Sequence, residues 1–196
     1  MDAPLKPHRP AWIAAIAITL ITLGVLLAMG RPPICTCGKV DLWYGNINGP
    51  GNSQHLSDWY TPSHIIHGML FYGLGWLLFR KWSLGGMNAG RWAFALAVLL
   101  EASWEVLENT PFVIDRYRAV TVNWGYSGDS VINSIADIGW MSVGFWLALR
   151  LPVKITVALA VAAEIITALV VRDNLTLNVI MLVWPLESIR VWQGAG

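Results

Sequence analysis

Glu101, Glu105 and Glu108 recur at intervals of four and three residues along a stretch otherwise made largely of Ala, Val, Leu and Trp. That spacing puts three carboxylates on one face of a helix, while their neighbours give the helix the character of a membrane span. An ionisable side chain near the centre of such a span costs roughly 2.5–3.5 kcal/mol on insertion scales. A chain keeps several of them only where they face one another, a partner or water. The device recurs: Asp129, Asn133 and Asp137 follow at intervals of four, and His64 and His67 stand three apart with His55 and Asp58 just before them. A helical bundle built around a shared polar site accommodates all three clusters.

Composition agrees. Hydrophobic residues make up 56% of the 196 residues and charged residues 13%, against about 25% charged in ordinary soluble domains. One domain of this length has room for about five spans of roughly 20 residues each. Apolar runs predict spans at about 12–30, 63–79, 91–109, 129–150 and 153–171, with Pro62 starting the second and Pro111 stopping the third. A polar, Pro-rich tail (1–10) and two loops (31–61 and 110–128) complete the core. The segment 175–192, broken by Pro185 and carrying Glu187 and Arg190, reads as an interfacial or re-entrant helix rather than a sixth span. The expected fold is all-α: a polytopic membrane helix bundle of about five transmembrane helices plus that C-terminal segment.

Net charge is +1, so nothing electrostatic points to nucleic acid. Cys35 and Cys37, in ICTCG, match neither zinc nor haem-attachment spacing. A redox pair, a disulfide or a metal contact fits them, and ordering of the loop is the simplest role.

With the N-terminus cytoplasmic, the short inner segments carry Lys6, Arg9, Arg80, Lys81, Arg91, Arg150 and Lys154, which satisfies the positive-inside rule. The acids Asp41, Asp58, Glu105, Glu108, Asp115, Asp129, Asp173 and Glu187 then fall on or near the outer side. The polar clusters meet at one depth, near the outer leaflet of a bacterial inner membrane.

Three chemistries suit that convergence. His64, His67 and Glu105 have the donor atoms for a divalent metal such as zinc, which would activate water. Glu105 and His67 also suit metal-free acid–base catalysis, and a line through Glu101, Glu105 and Asp137 suits a proton or ion relay. Asp58 and Asp129 support the centre. Asn109, Asn133, Arg116, Arg118, Arg172 and Asp173 are candidates for holding a substrate, the loop arginines 116 and 118 being suited to a phosphate or carboxylate head group. The plainer alternative is that these residues tie spans together through hydrogen bonds worth about 1 kcal/mol each. Asp129 is then a helix cap, and Asp115, Arg116 and Arg118 belong to a solvated loop.

The stretches CTCG, NSQHLSDWYTPSHIIHG, WEVLENTPFVIDRYR, GDSVINSIAD and RDNLTLNVIML resemble an uncharacterised family of multi-pass inner-membrane proteins of alphaproteobacteria. The resemblance covers nearly everything after the first span and implies location and topology but no activity. More distantly, Asp58, His67, Glu105, Arg116, Asp129 and Asn133 resemble the pattern of VanZ-like membrane proteins, which implies a role in the cell envelope or its lipids. The glycines usual after that Asn are missing here, where Ala136 stands nearby. The expected function is a hydrolase or transferase acting on a lipid or lipid-linked envelope substrate. The competing class is a non-enzymatic accessory subunit of a larger membrane complex, supported by small size, twelve tryptophans and an amphipathic C-terminal segment. A transporter ranks third, because no inverted repeat or pair of broken helices is visible.

Overall fold

Pro10 sits in the first turn of α1 (Arg9–Ala28), where its missing N–H and fixed φ are tolerated. The helix therefore begins ahead of the apolar run, inside what the sequence suggests is a loose tail. The computed structural model describes residues 5–86, 89–121 and 125–194. Within the tail, Leu5 is 1% exposed and joins the core, and His8 Nδ1 lies 3.2 Å from the Arg91 carbonyl. Met1 to Pro4 lie outside the described residues.

The remaining helices are α2 (Thr61–Trp76), continued by a π turn over Leu77–Lys81, α3 (Ala93–Glu108), α4 (Pro111–Val120), α5 (Val131–Arg150), α6 (Val153–Val171), α7 (Leu175–Val183) and α8 (Glu187–Gly194). Among the described residues there is no strand, only an isolated bridge between Tyr44 and Asp58. The fold is all-helical, as expected.

One local expectation is corrected, the loop over 110–128, and the C-terminal segment gains detail. Pro111 does not simply end a helix: it occupies the first turn of α4, with Thr110 accepting from the Val113 N–H as its cap. Most of the expected loop 110–128 is thus helical. Over 175–192 the chain forms two short helices broken around Pro185. Nine residues of α7 reach only about 14 Å, well short of the roughly 30 Å of a hydrocarbon core. Glu164 holds the start of α7, its two carboxylate oxygens accepting from the Leu175 and Thr176 N–H groups at 3.0 Å each. A carboxylate there also complements the helix dipole.

The centre of the bundle is the α2–α5 seam. A Cβ built on Gly68 would lie 1.9 Å from the Met141 carbonyl oxygen, and one on Gly144 would lie 1.8 Å from that of Ile65. The two helices touch backbone to backbone, as small residues permit. Phe94, Ala97 and Val98 from α3 and Met141 and Phe145 from α5 fill the adjoining core.

Among the described residues three helices, α1, α5 and α6, are long and apolar enough to cross a membrane. Half of the most apolar window of α5 is buried, against 22% for α1 and 11% for α6. Those two helices lie on the outside with apolar faces uncovered, including Ile13, Ile16, Leu20 and Ile21 on α1 and Ile165, Ile166 and Leu169 on α6.

Candidate functional site

The polar end of the bundle is assembled by the segment 51–58, which is clamped onto the start of α5. Asp58 orders the segment: one carboxylate oxygen accepts from the Ser53 N–H and the other from Tyr60 N–H, each at 2.8 Å. Burial pushes its carboxyl above the ordinary range, against the opposing pull of these N–H groups. Ser53 is held at φ 57°, and its carbonyl accepts from Ser130 N–H at 3.1 Å. Ser130 Oγ donates to the Gln54 carbonyl, Asn133 Nδ2 to that of His55, and Trp140 Nε1 to that of Leu56, at 3.0, 2.8 and 2.8 Å. These bonds satisfy loop carbonyls that burial would otherwise leave unpaired. Asn133 is therefore part of the clamp, and Ser130, rather than Asp129, caps α5.

Beneath the clamp, α2 presents its histidines to α3. His64 Nδ1 lies 2.6 Å from Glu101 Oε1, and His67 Nδ1 lies 3.0 and 3.2 Å from the two Glu101 oxygens. Glu101, fully buried, is the shared anchor of both rings. The other side of His64 faces Asp137, with Nε2 3.7 Å from Oδ2, and Glu105 Oε1 lies 3.6 Å from Nδ1. The three residues expected to form one metal set are thus divided: His64, His67 and Glu101 cluster together, while His64, Glu105 and Asp137 form a second group with ligand atoms within 4.8 Å of one another. Glu105, Glu108 and Asp129 form a third.

Glu105 stands apart within this network. It is 0% exposed, and among the described residues neither of its oxygens has a hydrogen-bond partner. A buried carboxylate with no hydrogen-bond donor and, among the described residues, only His64 at 3.6 Å as an ion-pair partner is costly, so its environment calls for a proton or a cation. Nearby, a cavity of about 30 Å³ is lined by Asp58, His64, Glu108, Asp129, Asn133 and Asp137, among others. Such a space holds about one water or one ion.

Asp129 is set by Asn109 and Tyr126. Asn109 Nδ2 donates to its Oδ2 and Asn109 Oδ1 accepts from its N–H, both at 2.8 Å, and Tyr126 OH donates to Oδ1 at 2.9 Å. Asp173 is fully buried and accepts from Tyr60 OH, Asn174 N–H, Asn178 Nδ2 and Gln193 Nε2. Burial pushes its carboxyl up to about 6 despite these donors.

The arginines are arranged differently from the sequence expectation. Arg116 Nε donates to the Leu182 carbonyl and Arg118 Nε to that of Tyr126, so these two pin α4 to its neighbours and stand apart from the lining of the small cavity. Arg172 lines a second, larger cavity of about 800 Å³ beside the first. Glu101 and Asp137 were visible in the sequence as members of helical stripes. Tyr60, Tyr126 and Arg31 carried no such signal, being single residues in irregular segments.

No solved structure matches this chain significantly. Its sequence relatives are a UPF0314 protein of Novosphingobium aromaticivorans, 55% identical over 98% of this chain and 96% of the relative, and one of Rhizobium etli, 53% identical over 95% and 93%. A third, from Paracoccus denitrificans, is 50% identical over 97% and 95%. The family model described as "Protein of unknown function (DUF2585)" matches residues 26–195, and with relatives this similar over nearly their full length, the chain belongs to that alphaproteobacterial family.

Proposed function

We propose that this chain is a multi-pass protein of the bacterial inner membrane, with a cytoplasmic N-terminus and five crossings. Its polar end faces the periplasm and carries a metal-assisted hydrolase or transferase site for a lipid or lipid-linked envelope substrate. Uncovered apolar faces on α1 and α6 are stable against hydrocarbon but exceed what a soluble monomer leaves bare. The observation that carries the catalytic reading is Glu105: a fully buried carboxylate with no hydrogen-bond donor, grouped with His64 and Asp137 beside an ion-sized cavity.

The donor set fits a divalent cation, since imidazole with carboxylates suits zinc or manganese. His64, Glu105 and Asp137 would hold it. A divalent ion held by these residues would supply Lewis acidity and a more acidic bound water. Glu101 fixes the orientation of His64 through Nδ1, the role a carboxylate commonly plays behind a ligating histidine. Glu108 and Asp129 share the third group with Glu105 and are placed to accept a proton. At about 30 Å³ the cavity at this centre holds a water or an ion but no head group.

Metal content of detergent-purified protein tests this reading. Wild type should carry near-stoichiometric zinc or another divalent transition metal, and folded Glu105→Gln and Asp137→Asn should lose it. Metal-free wild type that stays metal-free after incubation with zinc and manganese overturns it. The small inner cavity and the bare faces of α1 and α6 also suit an accessory subunit, for which stoichiometric co-purification with a partner is the sign.

A further inference from the structure

The larger cavity has a different character. Its volume, about 800 Å³, lies within the 300–1,000 Å³ usual for ligand pockets. Arg31 and Arg172 both line it, Arg172 with one terminal nitrogen donating to the Trp192 carbonyl at 3.1 Å, and no carboxylate stands among its described lining residues. Arg31 is held in place, with Nε donating to the Asp129 carbonyl at 3.0 Å and one terminal nitrogen to that of Ser127 at 2.7 Å. Gly128 makes room for it: at φ +83°, a Cβ there would lie 2.5 Å from that same nitrogen.

Two buried amides on the wall have unpaired atoms. Asn52 is 8% exposed, and neither its Nδ2 nor its Oδ1 is hydrogen-bonded. Gln193 is 6% exposed; its Nε2 donates to Asp173, while its Oε1 is unpaired. Buried polar groups are nearly always satisfied, so these atoms describe what is missing. The guanidinium groups set the first requirement, an acceptor anion, while the orphaned amide atoms lie just beneath the cavity surface and are reached only when their side chains turn. Val170 lines the cavity and is at the same time 54% exposed on the bare face of α6. The cavity therefore opens beside a surface suited to acyl chains.

We propose that this cavity binds a phosphate ester that also carries hydroxyl groups, such as the head group of an anionic glycerophospholipid. The phosphate faces Arg31 and Arg172, where charge-assisted hydrogen bonds favour it. As the ligand binds, the Asn52 and Gln193 side chains turn from beneath the wall and their amide oxygens accept from its hydroxyls. Binding here does not require the His64–Glu105 centre to hold a metal or to catalyse, so the two proposals fail separately.

Native mass spectrometry of the purified full chain in detergent tests the site, with phosphatidylglycerol, phosphatidylcholine and sn-glycerol 1-phosphate as probes. Two variants are informative. Asn52→Leu removes unpaired polar atoms, a change expected to be neutral or stabilising for the empty fold. Arg172→Asn removes a cation while keeping a residue that tolerates the left-handed conformation at φ 58°. One phosphatidylglycerol retained per chain in preference to phosphatidylcholine, with at least tenfold weaker binding in both folded variants, supports a lipid ligand. Binding of glycerol phosphate alone, weakened by the same variants, supports the site with a soluble ester as its ligand. Equal retention of both lipids by wild type and variants, or no binding of any probe by folded wild type, overturns the proposal.

Discussion

The two cavities at the polar end of the bundle differ in size and in the sign of the charge around them. The inner one, about 30 Å³, is walled by Asp58, Glu108, Asp129 and Asp137, with His64 its single basic side chain among the described residues. The outer one, about 800 Å³, carries Arg31 and Arg172 and no acid among its described lining residues. Tyr126 lines both, with its hydroxyl turned to Asp129. Charge is sorted across one side chain: the inside suits a small cation and the outside an anion. A single mixed pocket would let these charges neutralise one another, and the division leaves each side able to recognise a ligand.

The sharpest way to break this contrast is to open the α2–α5 seam, since α2 and α5 carry His64 and Asp137 to the inner cavity. Gly68→Ala places a methyl group against the Met141 carbonyl, where no flexible side chain can yield. A loss of about 3 kcal/mol or more is expected, read as a fall in the denaturant midpoint. An unchanged midpoint means that α2 and α5 do not touch as described.

Next in size is the support of the inner site. Glu101→Gln removes the anion that orients His64 and His67, and divalent-metal affinity should drop tenfold to a hundredfold in titration calorimetry while folding persists. Wild-type affinity would show that the histidines need no such anchor.

Asp173 joins the two cavities, accepting from Gln193 of the outer wall and from Tyr60 and Asn178 of the inner. Its carboxyl is raised to about 6 from an ordinary 3.8, so between these values the folded state binds more protons than the unfolded one. The associated stability is fully present below about pH 3.8 and is lost as pH rises through 6. Lowering pH from 7 to 5 should therefore stabilise wild type by roughly 1–1.5 kcal/mol relative to Asp173→Asn. Parallel stability–pH curves would contradict this. The smallest effect belongs outside both cavities. Asp115 pairs with Arg118 at 3.7 Å with side chains 75% and 45% exposed, so Asp115→Asn should alter stability by less than about 0.5 kcal/mol and leave metal and lipid binding untouched.

Much of the candidate centre was legible in sequence because helical periodicity places residues before any packing is known. The Glu101–Glu105–Glu108 stripe, the His64–His67 pair and the Asp129–Asn133–Asp137 series all lie at the polar end, on α2, α3 and the start of α5. Which of them touch was not legible. Periodicity defines a face, whereas the angle and depth at which two faces meet depend on the close approach of Gly68 and Gly144. That contact brings Glu101, rather than Glu105, to both histidines. Arg116 and Arg118 were misleading for a related reason: a Pro can stop one helix or start the next, and α4 turns their side chains toward the carbonyls of Leu182 and Tyr126.

By itself, then, the sequence determined the helical class, the apolar segments and the gathering of ionisable side chains at one end, because these follow from local periodicity and from the cost of placing charge in an apolar environment. The division of that polar end into a small acidic cavity and a larger cationic one was decided only in the tertiary structure. It depends on segments distant in sequence, Arg31, Asn52, Tyr126, Arg172 and Gln193, whose side chains acquire a common purpose only when the chain brings them to one wall.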